Sequence, residues 1–156
     1  MKVSDILRVK GGTLYVVKPD DSLAQAMATM AEKDMGSLVV VEGGAVVGML
    51  TFREVIKDVV KHNGQVAQVT VSDAMEKQPL LCTVDTEMDE VRRMMLERHA
   101  RYMPVMDKKM LMGVISFYDV AKFVVERPNF ENKMLKAYIH DWPADESDGK
   151  SEPNLP

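Results

Sequence analysis

Two short stretches combine residue types that suit a phosphorylated ribose: Gly48-Met49-Leu50-Thr51-Phe52-Arg53-Glu54 and Gly113-Val114-Ile115-Ser116-Phe117-Tyr118-Asp119. Each runs glycine, two apolar residues, a hydroxyl residue and, three positions on, a carboxylate. The apolar pair reads as a strand end and the hydroxyl residue as a helix N-cap. A strand ending at a helix N-terminus brings backbone N–H groups and the positive end of the helix dipole to one point, which suits an anion. The hydroxyl of Thr51 or Ser116 can join the same anion. One turn later, Glu54 or Asp119 can accept two hydrogen bonds from the cis-diol of a ribose. Gly48 and Gly113 have no side chain, so a flat base has room against the strand. Arg53 and Arg101 are the cations best placed for phosphates, because a guanidinium grips two oxygens at once. Thr51-x-x-Glu54 also spells a capping box, in which glutamate folds back to its own N-cap N–H. Aspartate is the poorer box residue, so Asp119 has the stronger claim on a ligand and the two stretches should not be equal.

These stretches are matching parts of a duplication. Shifted by 65 positions, residues 17–55 lie over 82–120 without a gap, with seven identities in 39 pairs. Apolar class, turn position and helix starts agree along the same shift, as a repeat requires. Each copy reads helix, strand, strand, helix. Ser22 with Gln25 opens the first helix, and Leu23, Ala26, Met27, Met30 and Ala31 follow helical spacing until Gly36. A strand over 37–41, a Gly-Gly turn, a strand over 46–50 and a helix over 51–61 complete the first copy. The second has a helix over 88–98, strands over 103–106 and 110–115, and a helix over 116–126. Extended segments at 15–18 and 80–84 add a strand to each sheet. Short helical turns at 4–7 and 72–75 lead into each copy. The expected domains are therefore residues 1–66, residues 67–126, a C-terminal helix over 127–142, and a disordered acidic tail over 143–156.

The duplication, the paired motifs and the approach Arg101-Tyr102-Met103-Pro104-Val105 resemble a tandem CBS-domain pair. This is the cystathionine β-synthase domain unit called a Bateman module, and the likeness is closest to small stand-alone pairs. It covers about residues 1–126. It implies an α/β (α+β) fold of two pseudo-symmetric βαββα repeats packed sheet to sheet. It also implies a regulatory sensor, not an enzyme, that binds AMP, ADP or ATP, or alternatively NAD or S-adenosylmethionine. No cofactor is required, and a partner protein, unknown from the sequence, reads the occupancy. In such pairs each pocket joins the carboxylate motif of one repeat to the first two strands of the other. On that pattern Ile115, Ser116 and Asp119 face Gly11, Gly12, Met35, Gly36 and Ser37. Thr51, Arg53 and Glu54 face Leu80, Arg101, Tyr102 and Met103. The family's carboxylate is aspartate, from which Glu54 departs, and Tyr102 stands where relatives often carry histidine.

Composition narrows the alternatives. The net charge of −4 sits wholly within residues 141–156, so residues 1–140 are neutral and have no basic field for nucleic acid or an anionic membrane. The single cysteine, Cys82, suits a reducing compartment, and no apolar run has the length of a signal core or a spanning helix, so a cytoplasmic location is expected. His62, His99 and His140 lack metal-ligand spacing, and no metal site is expected. Fourteen methionines suggest a deformable core or interface. A homodimer is expected, with Met94, Met95 and the stripe Phe130, Met134, Tyr138 as candidates for burial between chains. The rival readings are a nucleotide-free interaction module and an enzyme acting on the bound nucleotide.

Overall fold

A computed structural model of the chain describes residues 1–11 and 13–126. The expected C-terminal helix, the acidic tail and the stripe Phe130, Met134, Tyr138 lie outside the described residues. The elements run α1 (Val3–Lys10), β1 (Val16–Val17), α2 (Leu23–Lys33), β2 (Ser37–Glu42), β3 (Ala45–Thr51), α3 (Phe52–Lys61), α4 (Val71–Ala74), β4 (Cys82–Thr83), α5 (Met88–Arg98), β5 (Tyr102–Asp107), β6 (Met110–Ser116) and α6 (Phe117–Glu126). One compact unit comprises Met1–Phe117; the other begins at Tyr118, and its described part is the remainder of α6.

The first unit holds two sheets of three strands, ordered β1-β2-β3 and β4-β5-β6. In each, a parallel pair is followed by an antiparallel hairpin. The registers repeat under the shift of 65: Val40 stands opposite Gly48 and Val105 opposite Gly113, and each hairpin slips just after that pair. Leu38, Val39 and Val40 of β2 are fully covered, as are Met103 and Val105 of β5. Such runs are buried on both faces, which is why they read as continuous apolar segments and not as alternations. β3 and β6 lie next to each other.

The helix ends depart from expectation in one place. α2 is closed by Asp34 in the left-handed region (φ 55°), and α5 by His99 (φ 53°). Gly36 therefore does not stop α2. Its backbone is ordinary, and a β-carbon there would overlap the Tyr102 hydroxyl. The glycine is needed where the two repeats touch.

The two lead-in helices are exchanged between repeats. The Val3 N–H donates to the Thr86 carbonyl (3.0 Å), Ser4 to Val84 (3.0 Å) and Met88 to Met1 (2.9 Å). Correspondingly, Val71 donates to Asp21 (2.9 Å), Ser72 to Pro19 (2.8 Å) and Leu23 to Val69 (2.9 Å). α1 thus belongs to the second repeat's sheet and α4 to the first. Val69 and Val71 are buried in the first core with Leu23, Met30, Leu38 and Leu50, and Ala74 and Met75 pack against it. Burying a valine or isoleucine side chain stabilises by about 1.5–3 kcal/mol, so Val71 and, on the other side, Val3 and Ile6 anchor these helices. The boundary at 66/67 does not separate the cores. The signal was in the chain at a different shift: Val3-Ser4-Asp5 recurs as Val71-Ser72-Asp73, 68 positions on.

Candidate ligand cleft between the repeats

The first motif folds as a strand-to-helix junction whose polar groups serve each other. Thr51 is the extended N-cap of α3 (φ −122°). Its N–H donates to Glu54 Oε1 at 2.8 Å, and its hydroxyl donates to the same oxygen. The Arg53 N–H donates to Thr51 Oγ1 at 3.2 Å, the Glu54 N–H closes the capping box on the same oxygen, and the Phe52 N–H donates to the Gly36 carbonyl at 3.3 Å. The first turn of α3 therefore holds its own donors, and the N–H groups expected for an anion are already engaged. The glycines are likewise covered by chain. A β-carbon at Gly48 would lie 2.5 Å from Met75 Sδ and 2.8 Å from the Glu76 carbonyl oxygen. At Gly113 it would meet, among the described residues, only Leu7 Cδ2, at 3.1 Å. The space expected for a base is filled by the segments that follow α4 and run along α1.

Beside this junction lies a cleft of about 360 Å³. Thr51, Phe52, Arg53, Glu54 and Ile56 form one wall, and Leu80, Arg98, Ala100, Arg101 and Tyr102 the other, with Met49, Glu76 and Pro79 between. The structure thus brings Thr51, Arg53, Glu54, Leu80, Arg101 and Tyr102 together from both repeats. Arg53 spans the gap, its Nη2 donating to the His99 carbonyl at 2.6 Å. Among the other expected site residues, Met103 and Ile115 are wholly buried, Ser37 nearly so, and Met35 packs on the first core. Their side chains are interior groups, leaving only backbone to meet a ligand. Gly36 abuts Tyr102, Gly11 is the exposed C-cap of α1, Ser116 ends β6 and Asp119 is in the first turn of α6. Gly12 lies outside the described residues.

Sequence reasoning missed Arg98, Glu76 and Pro79. Glu76 arrives because its backbone pairs with Met49 in both directions (3.0 and 2.8 Å) and extends the sheet beyond β3. Arg98 arrives because the left-handed turn at His99 places it on the same cleft as Arg101; the Arg98-His99-Ala100-Arg101 spacing was the available hint. Cys82 is buried on β4 with Sγ 3.7 Å from the Pro104 carbonyl, and burial pushes its thiol up to about 12. A thiol held protonated in this way is no nucleophile.

A ligand-sized cleft walled by the motif of one copy and the strand start of the other, in a chain duplicated down to its registers, is the arrangement of a tandem domain pair. The CBS-domain family model matches twice, over residues 3–61 and 71–126. The chain belongs to the CBS-domain family. This CBS pair is similar to the mitochondrial CBS domain-containing protein CBSX3 of Arabidopsis thaliana, 30% identical over 146 residues that span 88% of this chain and 71% of that one. Its fold matches the crystal structure of a CBS-domain containing protein from Agrobacterium tumefaciens, with a TM-score of 0.75 at 32% identity over 79% of this chain and 98% of that one. It also matches CBSX2, solved in complex with AMP, with a TM-score of 0.66 at 24% identity over 80% of this chain and 96% of that one. The chain is a CBS-pair regulatory module. No helix among the described residues is long and apolar enough to cross a membrane.

Proposed function

We propose that this CBS pair binds an adenosine-containing ligand between its repeats and passes the occupancy to a partner protein, without chemistry of its own. The observation that carries this reading is the 360 Å³ cleft built from both repeats, with hydroxyl, carboxylate and guanidinium groups converging on it. Its volume lies within the range of about 300–1,000 Å³ usual for small-molecule sites. AMP in CBSX2 is that protein's ligand; the two share a fold, and the reading here rests on the cleft. Asp119, the family's own carboxylate, is the second group that we expect to hold a ribose diol. Occupancy of a cleft walled by both repeats changes how they sit, which is a signal that a partner can read. Thermal shift and calorimetry across AMP, ADP, ATP, NAD and S-adenosylmethionine test this, and the absence of any response overturns it. One observation favours the rival nucleotide-free module: Thr51 and Glu54 already satisfy each other. The same screen decides between them.

The protein is also proposed to act as a homodimer, through a face other than the one expected. Met95 is buried within its own chain and Met94 is half-buried. Exposed apolar residues instead line α3, with Phe52 at 53%, Ile56 at 61% and Val60 at 70% exposure. The same positions of α6 are Phe117, Ala121 and Val125, all exposed. A chain that carries one stripe twice can close a two-fold pair by setting each stripe against the other's counterpart.

A further inference from the structure

Resting on the reading of the cleft as an adenosine-ligand site, we propose that it selects its ligand by phosphate charge. Arg98, with Arg53 and Arg101, makes it a site for nucleoside di- and triphosphates ahead of AMP, adenosine and the cationic sulfonium of S-adenosylmethionine. Among the described residues, three guanidinium groups line the cleft against two carboxylates, Glu54 and Glu76. Both carboxylates keep their charge, which leaves the guanidiniums one in excess, but they are held within their own segments: Glu54 by the Thr51 N–H and hydroxyl, and Glu76 Oε2 by the Gln78 N–H at 3.0 Å. Among the described residues neither Arg98 nor Arg101 has a carboxylate partner, whereas Arg93 on the outer face of the same helix is paired to Glu90 and Glu97. The N–H groups of the first turn of α3 are also taken, so the helix end does not supply the anion contacts. The groups left to meet phosphate are guanidiniums, whose forked donors match its oxygens.

The position of Arg98 follows from the fold. It is the last residue of α5, and the left-handed His99 reverses the chain so that residues 98 and 101 reach one cavity from either side of the turn. Arg53 enters from the opposite repeat and is fixed there by the His99 carbonyl. A bound anion would therefore tie α3 of the first repeat to the α5–β5 turn of the second, and additional phosphates would extend that tie. All three arginines are solvent-exposed, so the gain is moderate and sensitive to salt.

The test is calorimetry on the full chain with adenosine, AMP, ADP, ATP and S-adenosylmethionine, at low salt and with chelator present so that each nucleotide carries its full charge. ADP and ATP are expected to bind at least about fivefold more tightly than AMP, with an advantage that shrinks as salt rises. Arg98→Gln should remove most of that advantage while leaving adenosine affinity and melting temperature unchanged, and Arg98→Lys should restore part of it. Equal affinities for AMP and ATP, or an Arg98→Gln loss that falls equally on adenosine, would overturn the charge selection while leaving the ligand site standing. Failure of all five compounds would overturn the ligand reading itself. A lowered melting temperature in Arg98→Gln with ATP preference intact would make Arg98 a cap for the carbonyl end of α5 and overturn its assignment here.

Discussion

Replacing Gly48 by alanine separates the exchanged architecture from one in which each lead-in helix serves its own repeat. The new methyl group would lie 2.5 Å from Met75 Sδ, 3.0 Å from its Cγ and 2.8 Å from the Glu76 carbonyl oxygen. The thioether can rotate away, but the carbonyl cannot. It belongs to the residue that exchanges two backbone hydrogen bonds with Met49, at 3.0 and 2.8 Å. Forcing a methyl into a filled site costs about 1–3 kcal/mol. Loss of those two bonds adds roughly 1 kcal/mol each. Gly48→Ala should therefore destabilise by about 3–5 kcal/mol, or roughly 6–20 °C in Tm for a chain of this length. The pseudo-symmetric Gly113→Ala is the internal control: among the described residues its methyl would meet only the tip of Leu7, at 3.1 Å, and should cost under about 1 kcal/mol. Urea unfolding of the two variants and the parent reads both values. Equal destabilisation, or a Gly48→Ala change within about 0.5 kcal/mol of the parent, would refute the packing of 75–76 against β3.

Asp119→Ala should weaken adenine-nucleotide binding at least about tenfold and more than Glu54→Ala does, because hydrogen bonds to a charged group contribute about 1.5–3 kcal/mol each and aspartate is the family's own carboxylate at this position; calorimetry that ranks them the other way reverses the assignment. Glu54→Ala should instead show in stability, at roughly 0.5–2 kcal/mol for the lost capping box, read by chemical unfolding. Cys82 should resist a thiol reagent in the folded protein near neutral pH and react fully in urea; its raised value means that its contribution to stability is complete below its ordinary 9.0 and is lost as the pH climbs towards about 12, so Cys82→Ala should flatten the alkaline limb of a stability–pH curve. Val60→Glu should convert a dimer of about 35 kDa to a monomer of 17.5 kDa in light scattering; a Val60→Glu protein that stays dimeric places the interface elsewhere.

The sequence alone determined whatever is decided within a few residues. The helices over 23–33, 52–61 and 88–98 were legible because apolar residues at helical spacing and a hydroxyl or acidic start act within one or two turns. The Gly43-Gly44 hairpin was legible because its positive φ values suit glycine, and the Thr51–Glu54 box because its partners are one turn apart. Duplication then allowed one repeat to be read from the other. Only the tertiary structure decided matters that turn on which distant surfaces exclude water together. It assigned α1 to the second repeat and α4 to the first, because Val3, Ile6, Val69 and Val71 are buried there and no local preference encodes the choice. It filled the room beside Gly48 and Gly113 with Met75 and Leu7, which lie on those exchanged segments. It also drew Arg98 into the cleft: the left-handed turn at His99 is closed locally on Met95 and Leu96, but only the meeting of that turn with residues 51–56 of the other repeat makes a cavity for Arg98 to line.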